Sequence, residues 1–343
     1  MTSWAYVYDR SGNLLDEFDG TFRRSWGINA LGQCNFALSV LDAKNTRANL
    51  EFGNYIVVNN NEGLPLWVGR MEPPRSWGAS TTKHSAVTPE ILFREMNGAM
   101  GWGYHLIDSP GGILRTLIGV INEEDDKLLR EGDIIGGDSR VAVTIEPSMT
   151  LFEGWDSVLS LYRYEWDITP LIAENRLQLM VNLYDDQGEN TNDGLNDMNC
   201  RIDEENSLTE NGPIYNKIFL YSNQRPRRCF TSVQNNESIE RYGERVIPVG
   251  VDTVSTDSLE VVGERMLRTM AFPRRTFKAT ASNIDGLYSR LRLGNLFYLE
   301  SVKYGYAGQG IVGTQSEVRI LGMAYNDSTD GVALTIEKRE FYG

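Results

Sequence analysis

The sequence predicts a mainly β protein in which two related small β-barrels flank an α+β insertion. Two distant segments share a Gly-Asn corner, "LEFGNYIVVNN" (50–60) and "LRLGNLFYLES" (291–301). Apolar and polar residues alternate on both sides of each corner, as in half-buried strands. Between the two segments the apolar period becomes helical. We therefore expect a first barrel at 1–90, an α+β domain at 91–210 and a second barrel at 211–343.

Length and composition set the limits of this prediction. The chain has 343 residues, 41% apolar and 23% charged, which suits two or three globular domains. It has no run of 18 apolar residues, and "MTSWAYVYDRSG" lacks the basic and apolar regions of a signal peptide. Cys34, Cys200 and Cys229 are widely spaced and odd in number, so we expect folding in a reducing compartment without a disulfide framework.

Both barrels are predicted from strand-like segments in the same order. The first copy contains "WAYVYDRSG" (4–12), "NFALSVLD" (35–42), "YIVVNN" (55–60), "LWVGRM" (66–71) and "TKHSAV" (82–87). The second contains "IYNKIFLYSNQ" (214–224), "TFKATASNID" (276–285), "LFYLES" (296–301), "VRILGMAY" (318–325) and "VALTIEK" (332–338). An insertion, "YGYAGQGIVGTQ" (304–315), lengthens the second copy and predicts a loop or hairpin.

Equal spacing supports a true duplication. Phe36 precedes Gly53 by 17 residues, and Phe277 precedes Gly294 by 17 residues. The alternative is chance, because strands are short and Gly-Asn turns are common. Glycine at positive φ allows a sharp turn into the next strand, and asparagine caps its own backbone. We therefore expect Gly53 and Gly294 to occupy equivalent corners.

The insertion has helical segments on a small sheet. "GGILRTLIGVINEEDD" (111–126) and "SMTLFEGWDSVLSLYRY" (148–164) each place apolar residues on one helical face. "YEWDITP" (164–170) and "NRLQLMVNLYD" (175–185) alternate as strands. A further helix, 257–272, lies within the second copy, with Asp257 as N-cap, Glu260 completing a capping box and Pro273 ending it.

No group of residues in the sequence predicts catalysis, a cofactor or a metal site. His84 and His105 lack ligand-type neighbours, so structural roles are expected. The acidic loop "YDDQGENTNDG" (184–194) misses the EF-hand register and is either solvated or a weak Ca²⁺ site. The "EEDD" run (123–126) suits a solvated helix end. Trp155–Asp156 and Trp166–Asp167 could belong to a glycosidase cleft or to the core.

A family resemblance follows from three segments. "YNKIFLYS" (215–222), "ESIERYGERVIP" (237–248) and the helix "SLEVVGERML" (258–267), which follow the first barrel and the α+β insertion in this order, resemble the tail hub proteins of tailed bacteriophages. The resemblance covers nearly the whole chain. It implies tail-tube-like barrels and a homotrimer whose pseudo-hexameric ring joins a sixfold tail tube or distal tail ring to a threefold tip. Hubs with an enzymatic module append it after the second barrel, where this chain stops, so no enzyme is expected.

The same resemblance implies partners and a location. These partners are distal tail or tail tube proteins, the tape measure protein and tail tip or fibre proteins, in a virion tail tip assembled in the host cytoplasm. DNA would pass through the lumen without specific binding. The net charge of −14 predicts a negative lumen, and the basic patches Arg225–Arg228 and Arg274–Arg275 are expected at subunit interfaces. The alternative function is a receptor- or carbohydrate-binding adhesin that uses some of the aromatic residues; oligomeric state would separate the two.

Overall fold

The structure is a computed structural model. It describes residues 3–96, 98, 103–124, 128–136, 140–202, 208–222, 229–251, 256–300, 316–329 and 331–338. The 304–315 insertion, Arg225–Arg228 and the end of the "EEDD" run lie outside these residues.

The described residues form mainly β-strands, in the order of the chain. The first lobe contains β1 (Ser3–Tyr8), β2 (Leu14–Gly20), β3 (Phe22–Gly27), β4 (Gln33–Ser39), β5 (Tyr55–Asn60), β6 (Trp67–Trp77) and β7 (Thr81–Val87). The following segment contains α1 (Ile91–Glu95), β8 (Tyr104–Asp108), α2 (Pro110–Glu124), β9 (Leu129–Ile134), β10 (Val141–Ile145), α3 (Leu151–Tyr162), β11 (Glu165–Ala173) and β12 (Arg176–Tyr184).

The remaining elements complete the middle part and the second lobe. They are β13 (Asn190–Asn196), β14 (Cys200–Ile202), β15 (Leu208–Asn211), β16 (Lys217–Ser222), β17 (Phe230–Gln234), α4 (Asn236–Tyr242), β18 (Val246–Val251), α5 (Thr256–Met270), β19 (Arg274–Ala281), β20 (Leu296–Glu300), β21 (Ser316–Asn326) and β22 (Val332–Lys338).

Both lobes belong to one 14-stranded sheet. In the first lobe the strand order is β3-β4-β7-β6-β5-β1-β2; in the second, β19-β22-β21-β20-β13, with β14 and β15 on the outer side of β19. The lobes are joined where β21 pairs antiparallel with β3, from Gly322 opposite Gly27 to Asn326 opposite Arg23. We call this pairing the seam. Strand pairing closes neither lobe into a barrel within the described residues, because β3, at the edge of the first lobe, pairs with β21 of the second lobe.

The two lobes repeat the same pairing and the same corner. The order β4-β7-β6-β5 in one lobe matches β19-β22-β21-β20 in the other. The Gly53 amide donates to Met71 O at 3.0 Å, and the Gly294 amide donates to Ile320 O at 2.8 Å. Both glycines have positive φ, 91° and 81°. The expectation of equivalent glycine corners is confirmed.

The asparagines after the two glycines also act alike. Asn54 Nδ2 donates to Asn49 O at 3.1 Å, and Asn295 Nδ2 donates to Arg290 O at 2.9 Å. Each amide therefore satisfies a carbonyl of the loop leading into its own corner, which is the local cap that asparagine was expected to provide.

Two predicted correspondences are wrong. The segment 214–224 does not occupy the place of β1, because β16 lies in a separate three-stranded sheet, β17-β16-β18. Its place beside β20 is taken by β13, which runs parallel to β20 whereas β1 runs antiparallel to β5. Phe36 and Phe277 are also not equivalent. We call a row of residues that face each other across neighbouring strands a rung. Cys34 is on the rung of Met71, and Phe277 is on the matching rung of Ile320, so the counterpart of Phe277 is Cys34.

Three hydrophobic cores support this arrangement. One core lies in each lobe, and the third lies under α2, α3 and α5. Helix α3 begins with a capping box between Thr150 and Glu153, and Trp155 on its buried face packs edge-on against Trp166 at 6.2 Å. Helix α5 begins at Thr256, so Asp257 lies inside the helix and is not its N-cap. Its apolar residues, such as Leu259 and Val262, belong to the middle core.

Candidate assembly surface

The tryptophans and histidines considered as chemical candidates in the sequence occupy positions that suit structural roles. Trp155 and Trp166 are buried in the middle core, so neither forms a sugar-binding platform. His84 is 3% exposed and its ring stacks on Phe36 at 5.1 Å. Burial, with added repulsion from Arg75, lowers the pKa of His84 to about 4 and keeps the imidazole neutral at pH 7. His105 Nδ1 lies 3.0 Å from Thr144 Oγ1.

Three of the four carboxylates of the acidic loop lie beside arginines of other segments. Asp185 pairs with Arg265, Asp186 lies 3.8 Å from Arg319, and Asp193 lies 3.2 Å from Arg290. Such pairing neutralises the ligands that a Ca²⁺ ion would require. The described residues contain no group of three or more His, Cys, Asp or Glu side chains placed to bind a metal. Of the described helices, none is long and apolar enough to cross a membrane.

The seam between the lobes contains a buried charged cluster. Asp327, at the end of β21, accepts a hydrogen bond from Ser3 Oγ at 2.8 Å and another from the Phe22 amide at 2.8 Å. The Arg24 guanidinium lies 3.6 Å from the Asp327 carboxylate, and both side chains are 1% exposed. Arg24 also lies over the Tyr325 ring, 5.3 Å from its centroid. Ion pair, hydrogen bonds and strand pairing therefore fix one lobe against the other.

The corner of the second lobe is filled by a loop. Arg319 donates to Gln187 O at 2.7 Å and to Gly294 O at 3.2 Å, and makes a bidentate ion pair with Glu165. Gly188 and Gly294 are in close backbone contact: a Cβ on Gly294 would lie 1.9 Å from Gln187 O. The loop from β12 is therefore locked into this corner.

The corner of the first lobe is open by comparison. Arg70 occupies the rung equivalent to Arg319 and pairs with Glu72 and Glu95. In place of a bound loop there is a cavity of about 290 Å³, lined by Arg10, Phe52, Gly53, Tyr55, Arg70, Glu72 and Glu95. The two lobes thus share a backbone plan and differ in what occupies the corner.

Among the strand edges without a partner in the described residues, two belong to strands whose counterpart in the other lobe is paired there. Strand β6 pairs with β5 only from Trp67 to Arg70, which leaves the same edge open over Glu72–Trp77. Strand β15 pairs with β19 and has no other pairing. Open edges present unpaired amides and carbonyls and are ready sites for strand addition. Trp77, at the end of the open part of β6, is 74% exposed.

The solvent face of the shared sheet is polar rather than acidic. Strands β4, β7, β19 and β22 alternate, with exposed residues such as Asn35, Ser39, Thr81 and Thr335 opposite the core side. Its charged side chains include Arg23, Lys83 and Lys278, for which the described residues provide no carboxylate partner. Arg274, one of the predicted basic residues, pairs with Glu337 at 2.5 Å within the chain.

Sequence reasoning missed the residues that join the lobes. Ser3, Arg24 and Asp327 are separated by up to 324 positions and belong to no motif. The arginines at matching rungs, Arg70 and Arg319, were a usable signal, because each follows its Gly-Asn corner on the next strand of its copy.

Comparison with known proteins gives matches in structure only. No protein-family model matches the sequence, and no curated protein does. A 43 kDa tail protein of prophage MuSo2 from Shewanella oneidensis has a TM-score of 0.59 at 10% identity, over 99% of this chain and 98% of that one. The prophage tail protein gp18 from Listeria monocytogenes has a TM-score of 0.59 at 14% identity, over 99% and 95%.

A third similar structure comes from a secretion machine. The E. coli c3393 protein, a type VI secretion component described as similar to the T4 phage tail proteins gp27 and gp5, has a TM-score of 0.52. The identity is 10%, over 94% of this chain and 73% of that one. The likeness extends along the whole chain at identities that establish the fold alone. This chain therefore has the fold of phage tail proteins, as the sequence resemblance implied.

Proposed function

We propose that the protein is a structural hub of a phage tail tip or baseplate, acting as a homotrimer. One observation carries the proposal: two copies of the same sheet are joined head to tail, the β3 edge of one to the β21 edge of the other. A head-to-tail contact repeats with the same rotation and closes into a ring when that rotation divides a full turn. Three chains with two lobes each give six similar units, which match a sixfold neighbour on one side and a threefold one on the other.

The layers of the molecule suggest which face lines such a ring. The middle part, with α2, α3 and α5, packs on the outer face of β1, β5 and β6, because its core includes Tyr8, Tyr55 and Val57, which alternate with residues of the first lobe's own core. The outer face of β4, β7, β19 and β22 carries no further layer within the described residues. Because the bulkier side needs the larger circumference, the solvent face would line the lumen through which DNA passes.

The charge of this face changes one expectation. A negative lumen was predicted from the net charge of −14, but this face carries short polar side chains with Arg23, Lys83 and Lys278. The acidic surplus must lie mainly elsewhere. Tight binding of DNA would require many clustered contacts between basic side chains and phosphates. A polar face with a few separated basic side chains therefore suits transient contact with DNA.

The other functional parts of the proposal follow from the ring. Distal tail or tail tube proteins would stack on its sixfold side, and tail tip or fibre proteins on its threefold side, with the tape measure protein ending in the lumen. The location would be the virion tail tip after assembly in the host cytoplasm. The role is structural and not enzymatic. The burial of Trp155 and Trp166 gives no support to the carbohydrate-binding alternative.

Mass and symmetry test this proposal. Light scattering on the purified protein across a range of concentrations should give three times the mass of one chain. Negative-stain images should show rings with six similar lobes and a central opening. A monomer at every concentration, in the absence of rings, would refute it.

A further inference from the structure

We propose that the open edge of β6 pairs with the β15 edge of a second copy, antiparallel, as β21 pairs with β3 inside each chain. This inference rests on the proposed function and names the surfaces through which one copy meets the next. The partner is a second copy because the chain already contains both halves of the contact in duplicate.

The first half of the argument is the equivalence of β6 and β21. Each pairs with its corner strand first, β5 or β20, and with its hairpin partner, β7 or β22, along the other edge. In β21 the edge beyond the corner strand, from Gly322 to Asn326, is filled by β3. In β6 the described residues place no strand beside the same stretch. A surface that is filled in one repeat is thus open in the other.

The second half is the equivalence of β3 and β15. Strand β3 lies on the outer side of β4, and β15 lies on the outer side of β19, which is the counterpart of β4. Both run antiparallel to their neighbour. Arg24 faces Cys34, and Leu208 faces Phe277, on the matching rung. The outer edge of β3 is paired with β21, whereas the described residues place nothing on the outer edge of β15.

These ladders fix a register for the contact between copies. In the seam, Ala324 faces Ser25 and Tyr325 faces Arg24. Along the hairpin partners, Ala324 faces Ala333 and Ser76 faces Lys83, which are equivalent positions. Transfer of the seam register therefore places Ser76 opposite Thr209 of the partner copy, and Trp77 opposite Leu208.

Exposure agrees with this assignment. Tyr325 is 2% exposed, whereas Trp77, its counterpart at the open edge, is 74% exposed. An aromatic ring of that size normally gains stability from burial at an interface. The β6 strand bulges around Pro73 and Pro74 and regains its ladder at Ser76. The bulge leaves Ser76 and Trp77 as the part of the edge that can pair regularly.

Within one chain, β6 and β15 do not pair with each other in the described residues, so we assign the contact to a partner copy. The open edges of β6 and β15 lie at opposite ends of the strand path β15-β19-β22-β21-β3-β4-β7-β6. Each chain therefore offers one edge at either end, and successive copies join in the same sense, as a closed ring requires.

Cysteine cross-linking tests the register directly. The double variant Ser76→Cys/Thr209→Cys should form covalent dimers and trimers on non-reducing gels after mild oxidation or treatment with a short bismaleimide, since facing Cβ atoms lie about 5 Å apart. A mixture of the two single variants should give dimers only. The matched control Ser25→Cys/Ala324→Cys should cross-link within one chain and give no ladder. Each single variant alone reports any background from Cys34, Cys200 and Cys229.

A second measurement needs no substitution. Hydrogen exchange on the unmodified protein, at low and high concentration, should show protection at 72–77 and 208–211 that increases with assembly. Trimer mass without cross-links and without this protection would overturn the edge pairing and leave the ring in place. A monomer at all concentrations would overturn both. Cross-links between like single variants would show a two-fold contact and also overturn the proposal.

Discussion

The two glycine corners allow one comparison in which the backbone strain is shared and the surroundings differ. Gly53 and Gly294 have φ of 91° and 81° and the same hydrogen bond to the next strand. Alanine at either position would be held in a conformation that costs about 1–2 kcal/mol for a residue with a Cβ. The free energy of unfolding should fall by that amount at both corners.

The surroundings then separate the two variants. A Cβ on Gly53 would meet the Arg10 guanidinium at 2.5 Å, which is the end of a flexible side chain and can swing away. A Cβ on Gly294 would lie 1.9 Å from Gln187 O, a backbone atom of the loop locked by Arg319. Overpacking of this kind costs about 1–3 kcal/mol. Gly294→Ala should therefore lower stability by about 2–5 kcal/mol, against about 1–2 kcal/mol for Gly53→Ala.

Urea unfolding followed by circular dichroism would measure both costs. Hydrogen exchange at 187–190 would show whether the loop has been displaced, which is expected for Gly294→Ala and not for Gly53→Ala. Equal unfolding costs, with unchanged exchange in the loop, would mean that the loop is not held in the corner. The reasoning from the duplicated corner would then fail.

Three further outcomes follow from the buried charges. Asp327→Ala should lower the free energy of unfolding by about 3–5 kcal/mol, because it leaves the Arg24 guanidinium buried without its carboxylate; a loss within 1 kcal/mol in urea unfolding would contradict the role of the seam. The lowered pKa of His84 means that stability should fall as pH drops from about 6.5 to about 4, by about 2 kcal/mol, and His84→Leu should remove most of that fall in unfolding curves. Burial raises the pKa of Glu90 from 4.5 to about 7, so its carboxylate should cost stability as pH rises through that range. The change in unfolding free energy caused by Glu90→Gln, measured against the unmodified protein, should be more favourable at pH 8 than at pH 5 by about 1–3 kcal/mol. An equal effect at both pH values would contradict a buried carboxyl.

Local patterns predicted the elements well, because each depends on its own residues. The helical period of 148–164 gave α3 (Leu151–Tyr162), and the Gly-Asn corners gave two turns with positive φ. The resemblance to tail hub proteins led to the fold of phage tail proteins, although the described residues do not close the two predicted barrels. These features are set by short-range chemistry that a single sequence displays.

The way the lobes join could not be predicted in the same way. The seam depends on which edge of β3 meets β21. The alternation of apolar and polar residues along a strand does not identify the strand beside it. Strand-like "IYNKIFLYSNQ" was assigned to the second lobe because it alternates like β1. Its buried residues, Ile218 and Leu220, instead pack in the middle core that contains α5. The lumen charge was inferred from net charge, which does not report where charges lie.

The two kinds of contact in the proposed ring should differ in strength although their backbones match. Within a chain, the seam is locked by Asp327 with Ser3 and Arg24. Between chains, the matching positions are Leu208 in place of Arg24 and Ala79 in place of Asp327, by the same register. No ion pair can form there, so backbone pairing and burial of Trp77 would carry the contact. The six contacts of such a ring would have similar backbone pairing, and strong contacts within chains would alternate with weaker contacts between chains, which gives the ring threefold symmetry. It would come apart into intact chains before the lobes of any chain separate, as a hub between a sixfold tube and a threefold tip requires.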